Sequence, residues 1–154
     1  MRKKEREITD INDVESIISR ADVCRVALSE NNTPYIVTMN FGYCGGDRQY
    51  LYFHCANEGR KLDMIRTNNY VCFEFDTDHE VLKGEKACGW GMKYSSVIGY
   101  GRIFILADEI EKKEGLDHIM AHYGGKGVYS YDEKQLVLTT VLKLEIYEMT
   151  GKRK

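Results

Sequence analysis

The stretch PYIVTMNFGYCGGDRQYLYFHCANEGRKLDMI, residues 34–65, decides how the chain is read. Side chains of an extended strand alternate between its two faces. Tyr35, Val37, Met39 and Phe41 therefore share one face, and Ile36, Thr38 and Asn40 the other. Residues 44–47, Cys-Gly-Gly-Asp, form a turn, and a return strand sets Tyr50, Tyr52 and His54 against Leu51, Phe53 and Cys55. The reading is a hairpin whose polar tips end at His54. Just beyond, Asn57 is placed to cap a helix that opens with Glu58, Gly59, Arg60 and Lys61 and buries Leu62 and Ile65. The first N–H groups of a helix have no partner within it, and its dipole is positive at that end. With Gly59 permitting close approach and Arg60 and Lys61 adding full charges, this helix start suits a phosphate.

Outward from that stretch, Thr9 and Asp10 offer a cap to a helix whose Ile11, Val14, Ile17, Ile18 and Ala21 form one apolar stripe. Residues 23–30 read as a strand, which the turn Asn31-Asn32-Thr33-Pro34 leads into the hairpin. Residues 70–76 resume strand character with Val71, Phe73 and Phe75 on one face, and residues 77–91 read as a long irregular connection. Residues 92–106 form a long strand bent at Gly99 and Gly101. Residues 109–123 form a second amphipathic helix with Leu116, Ile119, Met120 and Tyr123 as its stripe and Gly124-Gly125 as its stop. Residues 138–149 give a last strand. Six strands joined largely as consecutive hairpins, with helices inserted between them, predict a mainly β (α+β) domain: a six-stranded antiparallel barrel with peripheral helices, spanning residues 1–154 as one unit.

Composition narrows the function. The chain has 154 residues, 43% hydrophobic and 30% charged, with a net charge of −2. No overall positive field favours nucleic acid or an anionic membrane. No long apolar run and no leader pattern is present, so the expectation is a cytoplasmic protein without a membrane span. Five cysteines, an odd number without a C-x-x-C pair, argue against a disulfide framework and a zinc site. The G-x-G-x-x-G and P-loop fingerprints are absent, so any nucleotide-like cofactor is held another way.

The ordered motifs P-Y-I-V-T-M-N-F-G-Y, Y-L-Y-F-H-C-A, N-E-G-R-K-L-D-M-I-R, N-Y-V-C-F-E-F-D-T-D-H-E and G-E-K-A-C-G-W-G-M-K-Y-S-S-V-I-G-Y-G-R, with the closing E-M-T-G-K-R, resemble the pyridoxamine 5'-phosphate oxidase-like flavin-binding split barrels. Within them the chain is similar to the nitroimidazole-resistance (Nim-type) branch. The resemblance implies a split barrel, a homodimer, and FMN, or the larger FAD, in a cleft between the subunits. It implies that the backbone of Val37, Thr38, Met39 and Asn40 runs beside the flavin ring, and that Arg60 and Lys61, after Gly59, hold the phosphate. Trp90 would wall the cleft, Ser95 and Ser96 would reach the flavin across the interface, and His54 would stand beside it near a small-molecule electron acceptor. Thr38 replaces a proline common in relatives, and Ser95 replaces an arginine. The implied function is an FMN-dependent oxidoreductase with a nitroimidazole as acceptor. A non-catalytic flavin-storage protein would use the same cleft, and a ligand-free interaction domain is the reading from another class.

Two further clusters are weighed for metal. His118 and His122 have i, i+4 spacing, yet without H-E-x-x-H or a third ligand they read as a solvated helix face. Asp76, Asp78, His79 and Glu80 read as a soluble turn. No metal site is expected. Cys55 and Cys88 read as packing residues rather than nucleophiles.

Overall fold

The computed structural model describes residues 3–124 and 127–154. Its eight strands are β1 (Glu7–Ile8), β2 (Cys24–Glu30), β3 (Thr33–Met39), β4 (Phe41–Cys44), β5 (Tyr50–Ala56), β6 (Tyr70–Leu82), β7 (Gly91–Ile105) and β8 (Thr139–Arg153). Four helices accompany them: α1 (Ile11–Arg20), α2 (Arg60–Thr67), α3 (Glu109–Gly124) and α4 (Glu133–Val137). All strands belong to one antiparallel sheet in the order β3-β2-β6-β7-β8-β5-β4, with β1 added to β8. The eight strands exceed the six expected from sequence because the first hairpin is divided and the two-residue β1 carries no periodic signal.

The strand order states the shape of the sheet. β3 and β4 are its two edges, yet only Asn40 separates them along the chain. Two virtual bonds span at most about 7 Å, so the sheet has curled until its edges lie beside each other. The β3 and β4 backbones do not pair, and the barrel is split there. This corrects the hairpin read from residues 34–65. β3 pairs with β2, Val26 opposite Val37, and only β4 pairs with β5, Phe41 opposite Phe53. The apolar alternation continues through Asn40 and hides the change of partner.

The barrel interior is filled by the inward rows of the strands, including Val26, Phe41, Leu51, Phe53, Phe73, Phe75, Val97, Leu142 and Leu144. Val14, Ile17 and Ile18 of α1 and Leu62, Met64 and Ile65 of α2 join the same core. Asp10 caps α1 by accepting from the Asn12 N–H at 2.8 Å. Asn31 and Asn32, at φ 49° and 61°, close the β2–β3 hairpin in the left-handed conformation that asparagine tolerates. Pro34 falls within β3, an edge strand, where a sheet accommodates proline.

β6 runs past the expected end at Asp76. After a register shift between Thr77 and Glu80 it pairs on with β7, from Glu80 opposite Lys93 to Leu82 opposite Gly91. Asp78 absorbs the shift at φ 60°. The irregular composition of residues 77–91 thus covers a bulged strand and a short loop. The β7–β8 ladder shifts between Tyr100 and Gly101, which supplies the expected bend.

α3 lies on the outside of β4, β5 and β8, with a different face inward from the one its stripe predicts. Tyr52 and His118 stack with centroids 5.0 Å apart and planes 2° from parallel, and His122 packs on Phe41 at 4.2 Å. The two histidines are therefore packing groups, not a solvated face. A Cβ at Gly42 would fall inside the backbone of His118 and Ile119, so β4 admits the helix only because of this glycine. The expected stop at Gly125 lies outside the described residues. Among the described residues no helix is long and apolar enough to cross a membrane.

Candidate functional site

The split is where the chemistry gathers. A cleft of about 410 Å³ is lined by Thr38, Met39 and Asn40 at the end of β3, His54 on β5 and Lys61 on α2. Five of the residues read from sequence as site residues thus come together. Cys55, Ala56, Leu138 and Thr139 complete the lining. Neither of the last two stands out in the sequence: Thr139 opens β8, which the register sets opposite Ala56, and Leu138 precedes it at the C-cap of α4. Val37 is half-buried against the core and contributes to this edge through its backbone.

The helix start differs in one respect from the sequence reading. Gly59, not Asn57, occupies the N-cap position, at φ 130° and ψ 159°. That conformation is open to glycine and strained for any residue with a Cβ. Asn57 instead donates from Nδ2 to the Val137 carbonyl at 2.8 Å and accepts from the Thr140 hydroxyl at 2.8 Å. It ties the α2 approach to β8. Because glycine has no side chain to cap, the first N–H groups of α2 remain available to a ligand. The two cations of that turn diverge. Lys61 Nζ lies 4.0 Å from Met39 Sδ, inside the cleft, whereas the Arg60 guanidinium sits 4.7 Å above the Tyr35 ring.

Trp90, Ser95 and Ser96 stand apart from the cleft within one chain. Trp90 is 53% exposed and donates from Nε1 to the Gly84 carbonyl at 2.8 Å. Ser95 points inward, only 1% exposed, and receives a 3.4 Å hydrogen bond from Arg153 Nε. Ser96 points outward on β7, opposite Asp76 and Lys152. The acidic cluster is spent on neighbours: Asp76 pairs with Arg25 and lies 3.2 Å from His79 Nε2, Asp78 pairs with Arg20 and Glu80 with Lys93. Burial, then the neighbouring Asp76, raises the Glu74 carboxyl despite its contact with Arg25. Among the described residues no group of three metal-ligating side chains converges.

All five cysteines are free thiols. Burial pushes the Cys55 thiol up, with Lys61 opposing, so this cleft thiol is not an activated nucleophile.

The end of α3 braces the split. The Tyr123 hydroxyl accepts from the Phe41 N–H at 3.2 Å and donates to the Asp22 carbonyl at 2.8 Å. His122 Nε2 lies 2.8 Å from the Ala21 carbonyl. One helix end thus holds the residue after Asn40 against the segment that leads from α1 into β2. Beyond His54, a second, smaller cavity of about 220 Å³ lies between α3 and α4 and shares His54 and Thr139 with the cleft.

Comparison with known proteins agrees with this architecture. A model of the family described as pyridoxamine 5'-phosphate oxidase matches residues 10–153. A candidate 5-nitroimidazole antibiotic resistance protein from Bacteroides thetaiotaomicron has 36% identity and a TM-score of 0.83, over 96% of this chain and 86% of that one. The flavocytochrome Anf3 of Azotobacter vinelandii shares the fold at 19% identity and TM-score 0.81, over 99% of this chain and 72% of that one. An FAD and heme binding protein from Mycobacterium smegmatis does so at 17% identity and TM-score 0.84, over 97% and 73%. Among curated proteins none matches the chain.

Proposed function

Because the chain belongs to the pyridoxamine 5'-phosphate oxidase family, we propose that its split-side cleft holds FMN and that the protein is a flavin-dependent oxidoreductase. The observation that carries the reading is the convergence of the β3 edge, His54 and Lys61 on one cleft. The residues fit the group. Lys61 and the uncapped first turn of α2 form a cationic N–H cradle for a phosphate, with Gly59 leaving it open. Thr38, Met39 and Asn40 lie at an edge whose backbone is not spent on β4, so N–H and C=O groups there can orient a flat polar ring.

Bound flavin would supply the electron transfer, and the chain supplies the rest. Lys61 anchors the phosphate and so fixes the register of the ligand along β3. His54, exposed on β5, orients a small acceptor or exchanges a proton with it. A second copy of the chain completes the site. The outer face of β6 and β7 leaves Tyr70, Ile98, Tyr100 and Phe104 exposed in one band, the kind of surface that homodimers cover. Trp90 and Ser96 lie outward with it and reach the partner's cleft, while Ser95 holds Arg153 from inside. The likeness to the Bacteroides protein supports a nitroimidazole as the acceptor.

The test uses the purified protein. It is expected to bind FMN, sediment as a dimer and pass electrons from a nicotinamide donor to a nitroimidazole. Lys61→Ala should weaken FMN binding roughly ten- to a hundredfold, the worth of a charge-assisted hydrogen bond, and leave riboflavin, which lacks the phosphate, unaffected. A protein that takes up no FMN sinks the proposal. Flavin binding without turnover replaces the oxidoreductase with a flavin-storage protein in the same cleft.

A further inference from the structure

The cavity behind His54 is built differently from the cleft. Leu116, Ile119 and Met120 of α3 and Leu136 of α4 make its apolar walls. Its polar groups are mostly committed. Tyr131 donates to Asp117 at 2.6 Å, the Thr139 hydroxyl donates to the Gln135 carbonyl at 2.8 Å, and Asp132 accepts the Gln135 N–H at 3.1 Å. The Gln135 side-chain amide and the His54 ring remain to bond a ligand. Among the described residues lining the cavity there is no lysine or arginine, and Asp132 contributes a carboxylate.

We infer that this cavity is a binding pocket for a neutral ligand of single-ring size, held beside the cleft with His54 as the common wall. Size and charge lead to that class. At about 220 Å³ it exceeds the roughly 150 Å³ in which an apolar protein cavity takes up benzene, and it falls short of the roughly 300–1,000 Å³ of drug-sized sites. One ring with one or two small substituents fits. An anion would sit beside the Asp132 carboxylate with no cation in the described lining to offset the like charge. The apolar walls take the ring, while Gln135 and His54 meet a carbonyl or nitro oxygen. The pocket therefore selects for neutrality and ring size. Its use as the acceptor pocket rests on the flavin reading above; its occupancy does not.

Nitrobenzene and its anionic analogue 4-nitrobenzoate are the probes, titrated into methyl-labelled protein with and without FMN and followed by NMR. Nitrobenzene is expected to shift the methyl signals of Leu116, Ile119 and Leu136, and 4-nitrobenzoate to bind at least about tenfold more weakly because its charge would be unpaired. Met120→Trp, which fills the cavity, should abolish the nitrobenzene shifts. Ile110→Trp, on the same helix at a position 78% exposed and outside the cavity, should retain them. Shifts confined to Met39 and Leu138 in the cleft, no shifts at all, equal binding of the anion, or shifts that survive Met120→Trp would each overturn the inference. If FMN does not bind while the flavin-free shifts appear, the flavin reading fails and the pocket stands.

Discussion

β6 and β7 are neighbours in the barrel, and so are β3 and β4, but only the first pair is hydrogen-bonded. β6 and β7 are 13 and 15 residues long and their ladder runs from Tyr70 opposite Arg102 to Leu82 opposite Gly91. Their inward row, with Phe73, Phe75 and Val97, is closed to solvent. β3 and β4 meet through Asn40 alone, and Thr38, Asn40 and His54 beside them are exposed. Where the backbone is paired, the inward side chains have only packing left to do. Where one ladder is missing, backbone groups, a helix start and a cation remain to be satisfied from outside the chain. The split is thus both the unpaired seam of the barrel and the place where these groups gather, consistent with binding sites being drawn from less consolidated regions.

Damage to the paired wall should have the largest effect. Phe73 is fully buried and packs edge-on to Phe75 with ring centroids 5.9 Å apart. Phe73→Ala should cost about 3–5 kcal/mol, the loss of a large core side chain plus the cavity it leaves, read from urea unfolding. At the split the expected effect is smaller and local. Tyr123→Phe keeps the ring on Phe41 and removes only the hydroxyl that bridges the Phe41 N–H and the Asp22 carbonyl. It should cost about 1 kcal/mol and speed hydrogen exchange at Phe41 more than at Phe73. A Tyr123→Phe variant as damaged as Phe73→Ala would mean that the seam, not the wall, holds the barrel.

Much of this was legible in the sequence, because strand alternation and helical spacing are local properties. The rows of β5 and of β6 up to Asp76, the stripe of α1 and the basic first turn of α2 all follow from them. Three features were not legible. The change of partner at Asn40 preserves the alternation, and which edge a strand joins is decided by distant residues. The continuation of β6 beyond Thr77 is masked by charged side chains that form ion pairs on the outer face, and by Asp78 taking up the bulge. The inward rings of α3 look polar in sequence, yet His118 and His122 pack on Tyr52 and Phe41, partners that only the fold supplies. Of the cleft lining, His54 and Lys61 stand out by residue type and position, whereas Thr38, Met39 and Asn40 entered only through the family resemblance. Leu138 and Thr139, at the junction of α4 and β8, entered through the fold alone.

The smallest effect probes the rim of the paired wall, at the bulge itself. The Arg20 guanidinium bonds the Asp78 carboxylate at 2.9 Å and, as the main cause, lowers its pKa from 3.8 to about 2. A folded-state pKa below the unfolded value means that the carboxylate stabilises the fold above pH 3.8, and that this contribution disappears as the pH falls towards 2. With the Asp78 side chain 39% exposed and Arg20 43%, solvent screening limits the pair to a few tenths of a kcal/mol. Asp78→Asn isolates it, because asparagine also tolerates the φ of 60° that the bulge requires. The unfolding midpoints of the two proteins should differ slightly at neutral pH and converge as the solution is acidified through that window. A gap that persists at pH 2, or one as large as that of Tyr123→Phe, would mean that Asp78 shapes the bulge through its backbone bonds rather than through its charge.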